Sequence, residues 1–420
     1  MGILANVIVV TPGGFAGEIR GIELETMWWS STKELRRRLV DCLGVEVDIL
    51  RLYETSGLDN GLPANGTVTY VAQAYPERPE ASLACRRYVV ESELQPAPNR
   101  ARYAHLDGPK EEIGWATVEL LKRGIIVEAV EQIRTWNLSA VWRLATSHGD
   151  KWLKSVPDFF AHEGQVIEML EQHPVPRLIA REPGRTLMHE MPGVEQFEAL
   201  LDVRQRMIDV WVPMQIETVT LVDDLIHAGA PDWREGPFTE AIHDVVSRHQ
   251  HELSDVDQQA TAALLVDLPQ RWQVINNSGV PDTLVHGDLH PGNVRIDEVT
   301  DEFTIFDWGD SGVGNALLDF PALASQGTDE LAMAVKTALC DAWRKHSPGS
   351  HPEAAFAAIE PICALRQATI YRKFLDSIEP AEHIYHQNDP GIWLTEAAKL
   401  FAKSHHVSGE SSPETTSLGT

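Results

Sequence analysis

The first 80 residues alternate between strand-like and helix-like patterns of apolar and polar positions. The segments ANVIVVT and TVTYVAQAY are rich in β-branched and aromatic residues, which is typical of strands. Between them, SSTKELRRRLVDCLG begins with serine and threonine, carries Leu35, Leu39 and Leu43 at helical spacing, and ends at Gly44. This pattern predicts an α+β domain at the N-terminus, and the proline-punctuated segment after it predicts a linker.

The rest of the chain is mostly helical in pattern, with a few strand-like segments. The stretch IGWATVELLKRGIIVEAVEQIRTW predicts a helix or a pair of helices. Two strand-like segments, SAVWRLATS and KWLKSV, flank an HGD turn, and PDFFAHEGQVIEMLEQH then predicts a helix. Residues 195–275 are mainly helical in pattern, DTLV and EFTIFDW are short strands, and the end is helical to about residue 404.

The segment HGDLHPGN, residues 286–293, lies between those two short strands and is crowded with polar side chains. Its glycines and proline disfavour helix and strand, so they predict a structured loop. Asp288 and Asn293 have the spacing of a kinase catalytic loop, and Asp307 closes the following strand. A carboxylate at Asp288 could orient a hydroxyl group and accept its proton, while Asn293 and Asp307 offer the oxygen ligands that Mg²⁺ prefers. The spacing therefore favours phosphoryl transfer.

A second interpretation of the same loop is a metal site or an ordinary turn. His286, Asp288 and His290 alternate along the chain and could bind a transition metal, as in a metal-dependent hydrolase. The sequence lacks the further clusters of metal-ligating residues that such hydrolases need. An ordinary turn would explain the glycines and the proline but not the spacing of the aspartate and the asparagine.

Two segments, LVHGDLHPGNV and FTIFDWGDSGVGNALLDFPAL, together resemble the aminoglycoside phosphotransferase family over roughly residues 110–400. The resemblance implies an α+β, protein-kinase-like two-lobe fold with an additional N-terminal α+β domain. It implies that Asp288 is the catalytic base, that Asn293 and Asp307 hold Mg²⁺, and that Asp319 is a structural brace. The expected parts are an N-terminal domain and linker (1–100), a small mixed lobe (101–190), a mainly helical lobe (191–405) and a disordered tail (406–420).

A kinase also pairs a lysine on a strand with a glutamate on the next helix. Lys154 closes the strand-like segment KWLK, and Glu163 lies in the helix predicted after it. Lys151 competes for this role, but it follows directly after a turn, where a solvated lysine is expected. The sequence therefore predicts that Lys154 and Glu163 form the ATP-binding pair.

The same resemblance suggests where the rest of the nucleotide would bind. RTLMHEMPG looks like the hinge of the family, which implies that adenine contacts main-chain groups near His189 and Met191. The segment RTWNLSAVWRL lacks the glycines of a kinase phosphate loop, so Ser139 and nearby main-chain N–H groups are the candidates for the phosphates. The choice between ATP and GTP stays open.

The predicted N-terminal helix and the strand after it, KELRRRLVDCLGVEVDILRLY, are similar to the corresponding part of Nudix hydrolases. The metal-binding box of that family, R-E-x-x-E-E-x-G, would place its acids and its arginine at Arg37, Arg38, Asp41 and Cys42. One carboxylate beside two guanidinium groups could hardly hold Mg²⁺. The resemblance therefore implies an inactive Nudix-like domain, and an unrelated α+β domain with one amphipathic helix is the alternative.

Composition limits the partners of the protein. With 35 basic and 62 acidic residues the formal net charge is −27, which disfavours binding to nucleic acid or to anionic membranes. No segment is long and apolar enough to span a bilayer. The wide spacing of the cysteines makes a reducing compartment the default, so a cytoplasmic location is expected. The cysteines form no CxxC pair or Cys/His cluster, which disfavours a zinc site: Cys42, Cys85, Cys340 and Cys363.

The sequence thus predicts an ATP- and Mg²⁺-dependent phosphotransferase that modifies a hydroxyl group of a small molecule. An amine-bearing and cationic acceptor, such as an aminoglycoside or an amino sugar, would suit the acidic charge of the chain. The alternatives are a nucleotide-binding pseudokinase that acts through a partner and a metal-dependent hydrolase. The oligomeric state is not predicted.

Overall fold

A computed structural model describes residues 3–11, 14–26, 28–56, 66–75 and 97–409. The strands are β1 (Ile3–Thr11), β2 (Gly14–Leu24), β3 (Glu46–Ser56), β4 (Thr67–Tyr75), β5 (Val127–Trp136), β6 (Ser139–Thr146), β7 (Lys151–Ser155), β8 (Leu178–Glu182), β9 (Arg185–His189), β10 (Val194–Glu195), β11 (Asp282–Val285), β12 (Val294–Asp297), β13 (Glu302–Ile305) and β14 (Gly312–Asn315). The helices are α1 (Lys33–Leu43), α2 (Gly108–Leu121), α3 (Glu163–Met169), α4 (Leu201–Thr218), α5 (Val222–His227), α6 (Glu235–His249), α7 (Asp255–Asn277), α8 (Phe320–Ala324), α9 (Asp329–His346), α10 (Pro352–Ser377) and α11 (Asp389–Gly409).

The chain divides into two compact units. The first unit contains Met1–Val194, Arg295–Gly309 and Phe374–Gln387. The second unit contains Glu195–Val294, Asp310–Lys373 and Asn388–Thr420. Most of the expected linker and residues 410–420 of the expected tail lie outside the described residues, and α11 extends to Gly409. The finer division at residue 100 stays a prediction.

The N-terminal module, which comprises β1 to β4 and α1, belongs to the first unit. Its sheet has the order β2-β1-β4-β3, with β1 and β4 parallel and the outer pairs antiparallel, a β-grasp topology. Leu35 and Leu39 of α1 are fully buried in the core of this sheet, whereas Arg37 on the same helix is exposed. The expected amphipathic helix and its α+β domain are present, and the Nudix resemblance stays untested.

The first unit also contains an antiparallel five-stranded sheet in the order β5-β6-β7-β9-β8. The prediction of helix throughout IGWATVELLKRGIIVEAVEQIRTW is wrong in its second half. Helix α2 ends at Leu121, and Gly124 follows with a φ of 73°, which suits glycine. Residues 127–136 form β5, which pairs with β6. Val127, Val130 and Ile133 fit a helical period, but β-branched residues also suit a strand, and the pairing with β6 decides the outcome.

The N-terminal module is joined to β5 by side-chain and main-chain hydrogen bonds. The side-chain amide of Gln132 accepts from Ile49 N at 2.8 Å and donates to Ile49 O at 2.7 Å. Nearby, Thr135 N donates to Ser30 O at 3.2 Å. Trp136 packs against the core of the module. The module and the five-stranded sheet therefore form one continuous structure.

The second unit is mainly helical. Its longest helices are α7 and α10, and the short antiparallel pair β11 and β14 lies among them. Large apolar side chains fill its interior, among them Trp211, Phe238, Trp343 and Phe356. Among the described residues, every helix is too short or too polar to cross a membrane.

Candidate active site

The first unit holds an ion-pair cluster around Lys154. Lys154 lies on β7, and its Nζ is 2.6 Å from Glu163 Oε1 and 2.6 Å from Asp307 Oδ1. The side chains of Lys154 and Glu163 are only 13% and 4% exposed, whereas that of Asp307 is 44% exposed. Glu163 Oε1 also accepts a hydrogen bond from Trp308 N at 3.1 Å. The pair expected to bind ATP, Lys154 and Glu163, thus meets Asp307, one of the residues expected to hold Mg²⁺, around one ammonium group.

The electrostatics of this cluster follow from burial and from the excess of carboxylates. Burial disfavours the charged Lys154, but attraction by Asp307 and Glu163 outweighs it and raises the pKa of the ammonium. Burial, with repulsion from Asp307, raises the pKa of Glu163, although Lys154 opposes this. Lys154 therefore stays protonated between the two carboxyl groups.

Lys151, the competing lysine, has a different role in the structure. Its Nζ donates to the main-chain carbonyls of His148, Gly149 and Asp150, at 2.7, 3.2 and 3.1 Å. These bonds close the turn between β6 and β7. The structure therefore pairs Lys154, and not Lys151, with Glu163, while the part that this pair plays in ATP binding stays a prediction.

The expected hinge residues follow the end of β9. His189 is exposed, and its main-chain N donates to Arg177 O at 2.9 Å. Met191 is half-buried two residues later. Because the N–H of His189 is already used inside the first unit, it is a poor donor for adenine. The contact of adenine with other main-chain groups near His189 and Met191 stays a prediction.

Ser139 lies at the start of β6 and is 7% exposed. Its hydroxyl accepts a hydrogen bond from Trp136 Nε1 at 3.1 Å. The bond spans the two-residue turn between β5 and β6, so the side chain of Ser139 is engaged within the hairpin. The hydroxyl accepts this bond and keeps its own proton to donate, so the expected contact of Ser139 with phosphate stays a prediction.

The second unit holds the loop of residues 286–293. Asn293 Nδ2 donates to Asp288 O at 2.8 Å and to Asp288 Oδ2 at 3.1 Å, which ties the two predicted residues together. Both bonds use the amide nitrogen, so the amide oxygen of Asn293 is the atom that could bind a metal ion. Asp288 has a side chain that is 47% exposed, so its carboxylate is open to a substrate.

The two histidines of the loop hold its main chain. His286 is fully buried, and its Nδ1 accepts from Asp288 N at 3.3 Å. His290 Nδ1 accepts from Gly292 N at 2.9 Å. In the described part of the chain, no three His, Cys, Asp or Glu side chains are grouped to hold a metal ion. This arrangement gives no support to the transition-metal interpretation of the loop.

Asp319 fixes the beginning of the same loop. Its carboxylate accepts from Gly287 N at 2.8 Å, from His286 N at 3.1 Å and from Trp211 Nε1 at 3.0 Å. Burial raises the pKa of Asp319 to about 6, although these donors and Arg366 oppose the shift. The ionised carboxylate is the better acceptor for three donors, so Asp319 has the bracing contacts expected of it.

Oxygen ligands for Mg²⁺ are present in both units. Asp307 offers a half-exposed carboxylate, and Asn293 offers an amide oxygen. Mg²⁺ is usually bound in proteins by one or two such groups, with water and phosphate oxygens as its other ligands. The chemistry of these two residues therefore fits Mg²⁺.

The predicted residues fall into two sets. Lys154, Glu163 and Asp307 meet in the first unit, and Asp288 and Asn293 meet in the second. Sequence reasoning missed a buried arginine on α10, which donates a hydrogen bond to the carbonyl of Gly287 in the loop of residues 286–293. The available signal was a single charged residue, Arg366, within the apolar stretch PICALRQATI.

Comparison with known proteins gives a family and a fold. The model of the phosphotransferase enzyme family, APH, matches residues 130–357, just over half of the 420 residues. No curated protein matches the sequence. An ethanolamine kinase from Plasmodium vivax is 10% identical with a TM-score of 0.50, over 66% of this chain and 84% of that one. At this identity the likeness shows a shared fold.

Two further solved structures are similar at lower TM-scores. A macrolide 2'-phosphotransferase from Brachybacterium faecium is 16% identical with a TM-score of 0.46, over 66% of this chain and 98% of that one. A choline kinase from Streptococcus pneumoniae is 14% identical with a TM-score of 0.47, over 70% of this chain and 99% of that one.

Proposed function

We propose that this chain, which belongs to the phosphotransferase enzyme family, transfers the γ-phosphate of ATP to a hydroxyl group of a small molecule with the help of Mg²⁺. Membership follows from the family model, which matches more than half of the chain. It confirms the expected α+β, protein-kinase-like two-lobe fold and the expected phosphotransferase activity. The nucleotide, the metal ion, the acceptor and the role of each residue are proposals.

The buried cluster of Lys154, Glu163 and Asp307 is the observation that carries the nucleotide part of the proposal. Burying charges costs free energy unless they are paired, so a lysine between two carboxylates needs a reason. In a kinase the lysine contacts phosphate oxygens and the glutamate holds the lysine in place. The same arrangement leaves Asp307 half-exposed, where it would bind Mg²⁺.

Asp288 carries the catalytic part of the proposal. Mg²⁺, when bound with ATP, would supply charge neutralisation for the phosphates. Asp288 would orient the acceptor hydroxyl and accept its proton as the new bond to phosphorus forms. The bonds from Asn293 Nδ2 restrict the position of Asp288, which supports this role because small displacements of a reacting group are costly.

The acceptor that we propose is a small, amine-bearing alcohol, such as an aminoglycoside, an amino sugar or a related molecule. The net charge of −27 would attract a cationic acceptor. The similar structures come from an ethanolamine kinase, a choline kinase and a macrolide phosphotransferase, so amine-bearing alcohols of different sizes belong in any test panel. A cytoplasmic location stays a prediction.

For the N-terminal module we propose a packing role. Trp136, at the end of β5, makes an edge contact with Tyr385 at 5.6 Å between ring centroids, and Tyr385 contacts Trp29 at 5.4 Å. Tyr103 Oη donates to the carbonyl of Trp136 at 2.7 Å. These contacts hold the β5–β6 turn without a glycine-rich loop. The module would therefore brace the phosphate-binding end of the first unit.

A coupled ADP-release assay with a panel of amine-bearing alcohols tests the proposal. We expect acceptor-dependent ADP release that requires Mg²⁺, and we expect ATP to raise the melting temperature only when Mg²⁺ is present. Stabilisation by Mg²⁺ and ATP without turnover on any acceptor would indicate a pseudokinase instead. No stabilisation by ATP or GTP at any Mg²⁺ concentration would contradict nucleotide binding altogether.

A further inference from the structure

Arg366, on α10, lies behind the catalytic loop and is 1% exposed. Its Nη1 donates to the main-chain carbonyl of Gly287 at 3.1 Å, and its Nη2 donates to that of Asp310 at 3.2 Å. Gly287 directly precedes Asp288, and Asp310 begins the segment that leads into β14. One guanidinium group therefore joins two separate stretches of the main chain beside the proposed base.

Nearby carboxylates compensate the charge of this guanidinium. Burial lowers the pKa of Arg366, while Asp319 and Asp310 oppose the shift by attraction. Arginine is so basic that it keeps its charge under these conditions. The guanidinium carbon also lies 3.7 Å from the ring centroid of Trp233, within the range of a cation–π contact. The indole of Trp233 therefore packs against the face of the guanidinium, and the carbonyls of Gly287 and Asp310 bond its edge.

The backbone around Arg366 leaves little room for movement. Gly287 has a φ of 89°, and a Cβ atom there would lie 2.0 Å from Asp310 O and 2.3 Å from Arg366 Nη2. Trp233, the stacking partner, is itself fixed by a hydrogen bond from its main-chain N to Val313 O at 2.7 Å. The two carbonyls, the guanidinium and the indole therefore pack against one another.

We propose that Arg366 is a positioning residue that sets the place of Asp288 by clamping Gly287 to the segment at Asp310. The inference rests on the proposed function, because it gives Arg366 a part in phosphoryl transfer without contact with either substrate. The planar fork of arginine can bond both carbonyls at once, and lysine cannot reproduce that geometry. A displacement of a reacting group by about 1 Å costs on the order of 100-fold in rate.

Arg204 offers a matched control in the same unit. It is also 1% exposed, and it donates to two main-chain carbonyls, those of Ala199 at 3.0 Å and Leu323 at 2.5 Å. Neither carbonyl belongs to the catalytic loop. Replacing Arg204 removes the same kind of buried clamp elsewhere, so a general effect of losing a buried arginine appears in both variants.

The test compares Arg366→Lys and Arg366→Ala with Arg204→Lys and Arg204→Ala. For Arg366→Ala we expect kcat to fall about 100-fold with little change in the KM for ATP, and we expect methylguanidinium to restore part of kcat. For Arg366→Lys, which keeps the charge but loses the fork, we expect a smaller loss of kcat. The Arg204 variants should show neither the kcat loss nor the rescue. Equal losses of kcat in the Arg366 and Arg204 variants would overturn the proposal. A rise in the KM for ATP at unchanged kcat in the Arg366 variants would overturn it as well.

Amide hydrogen exchange separates this inference from the proposed function. In Arg366→Lys we expect exchange across residues 286–293 to be about 10-fold faster than in Arg204→Lys, because local opening becomes easier. If the wild-type protein transfers phosphate to no acceptor, the proposed function falls, and the role of Arg366 in catalysis falls with it. If transfer is observed but exchange is equal in the two variants, only the clamp is refuted.

Discussion

Replacing Lys154 by methionine should expose the cost of the buried charge cluster. The substitution keeps the volume of the side chain but leaves Glu163, whose side chain is 4% exposed, beside Asp307 with no cation between them. Removing one partner of a buried ion pair typically costs about 3–5 kcal/mol in the free energy of unfolding. Asp307 is 44% exposed and screened by solvent, so its share of this cost is small.

The cost should depend on pH in a known direction. Burial raises the pKa of Glu163 above its ordinary value, so ionising this group disfavours the folded state. The stability associated with its protonated form is complete below the unfolded pKa of about 4.5 and is lost as pH rises through the folded pKa. Without Lys154 the folded pKa rises further. The loss in the free energy of unfolding caused by Lys154→Met, called the deficit below, should therefore be small at pH 5 and reach its full size near pH 8.

Chemical denaturation of the variant and its controls at pH 5 and pH 8 measures this deficit. Adding Glu163→Gln to Lys154→Met should recover most of the loss at pH 8, because the amide oxygen can still accept from Trp308 N. Lys151→Met removes a buried lysine on the same strand whose ammonium donates to carbonyls in the turn, so adding Glu163→Gln should not recover its loss of stability. A Lys154→Met deficit that is the same at both pH values, or that Glu163→Gln leaves unchanged, would refute the buried pair.

Three further substitutions test other parts of the structure. As pH falls through about 6, the pKa of Asp319, its carboxylate gains a proton and becomes a poorer acceptor for Gly287 N, so kcat of the wild type should fall. In Asp319→Asn kcat should be low at every pH. A wild-type kcat that does not change with pH in this range would contradict this role. Asp307→Ala should weaken binding of ATP in a Mg²⁺ titration, and an unchanged Mg²⁺ dependence would locate the ion elsewhere. Gln132→Ala leaves the main-chain N–H and carbonyl of Ile49 unpaired, so the free energy of unfolding measured in urea should fall by about 1–3 kcal/mol for each group. A fall of less than about 0.5 kcal/mol would argue against these hydrogen bonds between the N-terminal module and β5.

The loop of residues 286–293, the proposed catalytic loop, was predictable because its motif is encoded at short range. The spacing of Asp288 and Asn293 alone is that of a kinase catalytic loop, and in the structure a hydrogen bond of 3.1 Å joins the two side chains. The pairing of Lys154 with Glu163 was also predictable, because the strand and the helix that carry them are close in sequence. The family resemblance rested on the same segments, and the family model now confirms it.

The errors and omissions arise where distant residues decide the structure. The helical period of residues 127–136 misled the prediction because strand formation there depends on pairing with β6. The hydrogen bonds between Gln132 and Ile49 connect residues 83 positions apart in the sequence, and the bond from Arg366 to Gly287 connects residues 79 positions apart. Neither leaves a periodic signal in the sequence.

The most direct test of the account is the rate of phosphate transfer by Asp288→Asn, measured together with the affinity of the variant for ATP and Mg²⁺. Asparagine keeps the size of the side chain but cannot accept a proton from the acceptor hydroxyl. We expect a nucleotide affinity close to that of the wild type and a rate lower by about 10²–10⁴-fold. Transfer at the wild-type rate by this variant would contradict the assignment of the base and the mechanism built on it.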